Sequence, residues 1–297
     1  MNTHAKLTLL FSITGLVAGC GGGGDSGAAN PPATTTGTFV DSATQGIAYT
    51  CGATTGVTDA MGTFNFVAGD SCTFKVGGIT LGTAAGKPLL SPVDLVAGAT
   101  SETDPVVTNL AQFLISLDND NNPANGIVID TAVQTALTGK TLDFTQAPAA
   151  FATAAQALVG AAITGRTLVS IAAAQTHLGA TLVGRFSGPY TCTYSGVATN
   201  TNGGSVALNG TAAVSITNGV VTGSSQLTAT PPPPAGSVNG TVSSSGSGTL
   251  NLAASGTASG ASWSGAFYTD GTGKGAWSSP VNANGTSAKG DWSCKKA

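Results

Sequence analysis

Ser262-Trp263-Ser264, Ala276-Trp277-Ser278 and Asp291-Trp292-Ser293-Cys294 set three tryptophans in alternating frames, spaced by 14 and 15 residues. Successive side chains of a strand point to opposite faces, so each frame reads as a strand with its tryptophan on one face. Near-equal spacing is what hairpin strands of similar length produce. Upstream, Tyr190-Thr191-Cys192-Thr193-Tyr194 carries the same alternation. Between these stretches, Asn-Gly, the strongest short hairpin signal, recurs at Asn202, Asn209, Asn218, Asn239 and Asn284. The proline run from Pro231 to Pro234 cannot lie inside a central strand and marks a long loop. From Gly184 onward the pattern predicts roughly eight strands in an up-and-down meander. Cys192 falls in the first of these strands and Cys294 in the last, so a bridge between them implies a closed or nearly closed barrel. The competing arrangement is a two-sheet sandwich whose first and last strands are neighbours.

Between Gly37 and about Leu95 the chain reads as a small antiparallel sandwich. Gly62-Thr63-Phe64-Asn65-Phe66-Val67 and Cys72-Thr73-Phe74-Lys75-Val76 alternate, and Gly and Asp punctuate the runs. The texture changes at Pro92. Asp104-Pro105 starts a helix in which Val106, Val107, Leu110, Phe113, Leu114 and Leu117 recur at helical spacing. Asp130 caps a second helix, Ala149 to Ala162 forms a third behind Pro148, and Leu168 to Leu182 a fourth. The expected fold class is mainly β with a helical segment (α+β): an N-terminal β-sandwich, a helical middle, and a C-terminal antiparallel meander or barrel. The expected divisions are a signal segment over 1–19, a flexible tether over 20–36, a sandwich with helical extension over 37–183, and the barrel-like domain over 184–297.

The tether expectation rests on composition. Gly21 to Thr36 is rich in Gly, Pro and Thr and has nothing with which to bury a core. Across the chain, only 8% of residues are charged while 41% are hydrophobic, which is the opposite of a disordered composition. Lys and Arg number 10 against 13 Asp and Glu, so no basic patch supports nucleic-acid binding. Ahead of the tether, Lys6 precedes an apolar run from Leu7 to Val17 that is too short to span a bilayer and reads as a secretory signal. An exported chain sits where disulfides persist. Four cysteines besides Cys20 allow three pairings. Cys51 with Cys72 and Cys192 with Cys294 is the pairing that keeps each bridge inside one domain.

The signal ends in Val17-Ala18-Gly19-Cys20, which resembles the lipobox of bacterial lipoproteins. The resemblance implies cleavage before Cys20 and acylation of its sulfur and new amino group. Gly21, where enteric inner-membrane lipoproteins carry Asp, implies sorting to the outer membrane. Gly46-Ile47-Ala48-Tyr49, Gly56 to Phe66, Phe74 to Gly82, Asn109 to Asp118 and Ala174-Gln175-Thr176-His177-Leu178 resemble the opening module of proteobacterial surface lipoproteins. The strand part is similar to carboxypeptidase-regulatory-like (transthyretin-like) sandwiches. The likeness covers about Gly37 to Leu182 and implies an exported scaffold with variable C-terminal cargo and no reaction of its own.

Little in the sequence supports catalysis. Gly69-Asp70-Ser71 resembles the nucleophile segment of trypsin-like proteases, but that family continues with two glycines and places its His earlier, whereas here Cys72-Thr73 follow and His177 comes after. The nucleophile-elbow pattern G-x-S-x-G does not occur. Glu102 is the only Glu, which leaves little for paired-carboxylate chemistry. His177 has no second His and no C-x-x-C to make a zinc site. Asp118, Asp120 and Asn122 offer alternate oxygens as a calcium loop does, although Pro123 stands where such a loop wants Gly and Ile129 where it wants Glu. The competing reading is a solvated helix connection. Trp263, Trp277 and Trp292, with Tyr190 and Tyr268, either fill the barrel or line a ligand site. The expected function is a non-catalytic, lipid-anchored outer-membrane module for binding, structure or adhesion. Its expected partners are the membrane through the lipid and an unknown protein or glycan, not nucleic acid. No cofactor is expected apart from calcium. The alternative is an exported hydrolase or a β-barrel carrying a small ligand.

Overall fold

A computed structural model describes residues 33–229, 231, 233–253 and 260–297. The expected signal segment, the lipidation site at Cys20 and most of the expected tether lie outside the described residues. The first half holds β1 (Thr34–Phe39), β2 (Thr44–Gln45), β3 (Ala48–Cys51), β4 (Thr54–Val57), β5 (Thr63–Val67), β6 (Ser71–Val76), β7 (Ile79–Ala85) and β8 (Leu89–Leu90). Then come α1 (Pro105–Ser116), β9 (Ile127–Val128), α2 (Thr131–Ala136), α3 (Pro148–Ala162) and α4 (Ile171–Gly184). The second half is all strand: β10 (Gly188–Asn200), β11 (Ser205–Thr217), β12 (Val220–Leu227), β13 (Gly236–Val242), β14 (Ser247–Ala253), β15 (Ala261–Phe267), β16 (Thr272–Ser279) and β17 (Thr286–Lys296).

In the first half β4-β3-β6-β7 form an antiparallel sheet and β5-β1-β8 a second, smaller one. The all-antiparallel expectation is corrected in two places: β1 runs parallel to β8, and β2 parallel to β9. The long connections between these strands allow it, since a parallel pair needs a crossover. Strand β1 also starts at Thr34, pairing Thr34–Thr36 with Val67–Asn65, so the last residues assigned to the tether belong to the sheet. Phe39, Phe64 and Phe74 meet between the sheets, with ring centroids 5.1 and 5.2 Å apart. Cys51 and Cys72 are register partners on β3 and β6 and form a disulfide.

The helices start where their caps lie. The Asp104 carboxylate accepts from the N–H groups of Val106 and Val107, and that of Asp130 from Val133. Helix α4 begins at Ile171 rather than Leu168 because Ser170 supplies its cap, accepting from the Ala173 N–H. Two buried amides on α1 tie down the segments around it. Asn109 donates to the carbonyls of Phe144 and Gln146, and Gln112 to that of Val169. Each is thereby satisfied in a setting where an unpaired amide would cost about 1–3 kcal/mol.

Strands β10 to β17 run in sequence order, each antiparallel to the next, and β17 returns to pair with β10 from Tyr190↔Lys296 to Asn200↔Thr286. The barrel is therefore closed, and no edge is left unpaired. Cys192 and Cys294 face each other in that closing register and are bridged. The Asn-Gly pairs at Asn202, Asn218 and Asn284 are hairpin turns; Asn218 and Gly219 both take positive φ, 48° and 79°. Those at Asn209 and Asn239 lie inside β11 and β13 instead.

Side chains alternate along most of the barrel. Tyr190, Tyr194, Trp263, Phe267, Trp277 and Trp292 point inward and are buried, with Val214, Ile216, Val221, Val238 and Leu250. Thr191, Thr193, Thr211, Ser215, Thr222, Thr249, Ser262, Ser264 and Ser293 stand on the outer wall. Space for the indoles comes from glycine rows. Trp277 on β16 is opposite Gly290 on β17, which is opposite Gly196 on β10. Trp292 on β17 is opposite Gly275 on β16, which is opposite Gly265 on β15. A methyl group at Gly196 would sit 2.6 Å from Cζ2 of Trp277, and one at Gly265 2.6 Å from Cζ2 of Trp292. Each ring reaches across one strand, and its Nε1–H donates to the carbonyl just before the far glycine: Trp277 to Ser195 at 3.1 Å, Trp292 to Ser264 at 3.2 Å.

The Cys192–Cys294 bridge closes a loop of 102 residues. Replacing both cysteines with alanine is expected to lower the unfolding free energy by about 4 kcal/mol, through loop-closure entropy. Guanidinium unfolding measures this. A loss under about 1 kcal/mol would mean that the ladder alone fixes the ends.

Candidate functional site

All three tryptophans face inward, so they fill the barrel rather than form an outer stacking platform. Trp263 and Trp292 stack with centroids 5.6 Å apart, and Tyr194 meets Trp263 edge-on at 5.2 Å. Tyr268 is instead exposed in the β15–β16 turn, with Lys274 over its ring. Packing stops short of one end of the barrel. There a hollow of about 290 Å³ is lined mainly by apolar groups, with Tyr194, Trp263 and Trp277 among them and Leu208, Leu227 and Leu252 around them. Ser225 is the buried hydroxyl in this lining. Burial pushes the Tyr194 phenol above its usual range. A separate, shallow outer hollow of about 630 Å³ overlies the Gly196–Gly290 pair and carries Ser195, Ser262, Ser264, Ser278, Lys289 and Asp291.

Asp118, Asp120 and Asn122 do lie together, in the loop after α1. The carboxylates of Asp118 and Asp120, however, are engaged within the loop. Asp118 is buried and accepts from the N–H groups of Asn122 and Val128; Asp120 accepts from the Asn122 N–H and the Asn125 side chain. Arg166 donates to the carbonyls of Asp118 and Asn119 and to the Asn121 side chain. A cation of the protein thus braces the loop from the outside, holding its backbone at Asp118 and Asn119. Burial and the nearby Asp120 push the Asp118 carboxyl up, while the bond from Asn125 holds Asp120 low. Among the described residues no group of three or more His, Cys, Asp or Glu side chains is placed to hold a metal.

Ser71 starts β6 and is exposed. His177, on α4, has found neighbours that the sequence did not suggest: its Nε2 lies 3.1 Å from Ser42 Oγ and 3.6 Å from Asp41 Oδ1. A hydrolytic triad needs the carboxylate on the ring nitrogen opposite the serine. Here one nitrogen faces both, and the Ser42 N–H is already given to Thr181 Oγ1. The cluster is therefore no triad.

Comparison with family models, curated proteins and solved structures finds no match. The site reading rests on geometry alone. Sequence reasoning missed Asp41, Ser42, Arg166 and the glycine rows. A signal for the rows was present: Trp263-Ser-Gly265, Gly275-Ala-Trp277 and Gly290-Asp-Trp292 each hold a glycine two residues from a tryptophan, on the same face of the strand. No comparable signal existed for the rest, which are joined by tertiary contacts across 45 residues or more.

Calorimetric titration with millimolar calcium is expected to give no saturable heat, because the loop's own donors occupy its carboxylates. One-site binding that disappears in Asp118→Asn would reverse this reading.

Proposed function

We propose that the chain is a non-catalytic binding or structural module of adhesion type, held at the bacterial outer membrane by lipid on Cys20. The observation that carries the non-catalytic part is the barrel itself. Its interior is largely packed with aromatic rings, its wall presents hydroxyls, and in the outer hollow Asp291 lies among serines and Lys289 with no histidine in the lining. The anchor rests on Val17-Ala18-Gly19-Cys20 behind an apolar run, and on the resemblance of the first half to surface lipoproteins. Several acyl chains, each contributing about 0.8 kcal/mol per buried CH₂, make a stable anchor. A hydroxyl-rich wall suits a polar protein or glycan partner, while lipid contact needs an apolar outer belt. Among the described residues no helix is long and apolar enough to cross a membrane. Changing Cys20→Ser is expected to move the protein from the membrane to the soluble fraction, or to leave it unprocessed. Sedimentation of the variant with membranes after a high-salt wash would rule out this anchor.

A second reading, a barrel carrying a small ligand, is favoured by the 290 Å³ hollow at the barrel end. Its aromatic and leucine lining, with few polar groups, is the usual character of a small-molecule site. Toluene is the simplest probe. Under this reading it produces a saturable shift in tryptophan emission that Ser225→Phe abolishes; no shift up to its solubility limit removes the reading.

A further inference from the structure

Asp41 poses the sharpest chemical problem in the molecule. It is fully buried, and among the described residues it alone has both carboxylate oxygens buried without a hydrogen-bond partner. A bare buried carboxylate is costly unless it is paired or protonated. The group nearest in charge is His177, whose Nε2 lies 3.6 Å from Oδ1 and 3.3 Å from the Asp41 backbone carbonyl. The same nitrogen is 3.1 Å from Ser42 Oγ. Ser42 itself has φ of 61°, a left-handed backbone that a serine keeps only when its surroundings hold it. Its N–H is held by Thr181 Oγ1, one turn beyond His177 on α4.

We propose that Asp41 and His177 keep one proton between them, and that this pair is a pH-operated latch fastening the Asp41–Thr44 turn to α4. The place gives the latch consequence. The turn ends β1, the first strand of the described fold, and α4 is the helix that leads into the barrel.

No other basic side chain among the described residues lies within 4 Å of the Asp41 carboxylate. From α4 the titratable neighbour is His177. Asp59, on the β4–β5 connection, spends its carboxylate on the N–H groups of Met61 and Thr63. Asp118 and Asp130, which flank β9, spend theirs on Val128, Asn122 and Val133. Glu102 packs at Gly179, two residues and so about half a turn around α4 from His177. Burial pushes Asp41 well above the usual carboxylate range, in keeping with a retained proton.

The sign follows from counting protons. In the unfolded chain Asp41 ionises near pH ~3.9 and His177 near ~6.5. Between these values the unfolded pair holds one proton, as the latched pair does, and stability is flat. Above about pH 6.5 the unfolded pair holds none while the latched pair still holds one, so stability falls as pH rises. The limiting slope is about a tenfold rise in the unfolding constant per pH unit.

The test is urea unfolding of the full-length chain from pH 5 to pH 9, with the Ser42 amide protection factor followed by hydrogen exchange. The wild type is expected to be flat to about pH 6.5 and then to weaken, with Ser42 losing protection on the alkaline side. Asp41→Asn is expected to remove the alkaline loss of both. His177→Gln leaves the buried Asp41 its proton while the unfolded chain holds none above pH ~3.9, so the flat region below about pH 6.5 is expected to disappear and the loss to run across the whole range, which keeps the test open if Asp41→Asn does not fold. A wild-type profile flat to pH 9, an alkaline loss unchanged in Asp41→Asn, or a flat region below about pH 6.5 kept in His177→Gln overturns the latch.

Discussion

The barrel depends on a volume constraint. Eight strands enclose an interior just wide enough for side chains. This chain sends three indoles, two phenols and two phenylalanines, Phe186 and Phe267, into that space. They fit because two rows, Trp277–Gly290–Gly196 and Trp292–Gly275–Gly265, place glycines across the path of a ring. The far carbonyls of Ser195 and Ser264 then take the N–H groups of Trp277 and Trp292, while the buried Trp263 N–H finds no partner. Aromatic bulk and missing side chains are two halves of one device. An alanine at Gly196 or Gly265 meets a ring carbon at 2.6 Å, and one at Gly290 or Gly275 meets the backbone of the neighbouring strand.

With the aromatic groups of the strands inside, the outer wall is left mostly to Thr and Ser, with a few Lys and the exposed Val197 and Val220 among them. That arrangement is inverted relative to a membrane-spanning barrel, whose outer belt is apolar and whose lumen is polar. It also frees the wall for partners. The first half of the chain solves its own packing differently, with three phenylalanines between two small sheets and helices whose buried amides bind neighbouring loops. The halves meet through Arg185, which follows α4 and donates to Ser91 Oγ at 2.7 Å, and through Phe186, packed in the barrel core.

The barrel was the most legible part of the sequence because period-two alternation carries directly into facing. The tryptophan frames, the terminal cysteines and three of five Asn-Gly turns all pointed to the same closed meander. Asn209 and Asn239 misled because glycine has two uses: in a turn it supplies positive φ, while in β11 Gly210 lies under the Tyr194 ring and in β13 Gly240 approaches the Thr249 carbonyl. Parallel pairing of β1 with β8 left no local trace, since those short segments are joined by distant sequence. The acidic loop was legible as a cluster but not as a braced one, because Arg166 reaches it from 48 positions away in sequence. Asp41 was invisible for the same reason. Its sequence neighbours are ordinary, and only the fold brings His177 to it.

Closure of the barrel can be tested without altering a residue. Amide hydrogen exchange along β10 and β17, resolved residue by residue, reports whether these strands pair with each other. A closed barrel predicts protection of ladder amides on both sides of each strand, comparable to that in β11 and β16. Fast exchange of every second amide along β10 and β17, with the others protected, would reveal two free edges and contradict the account.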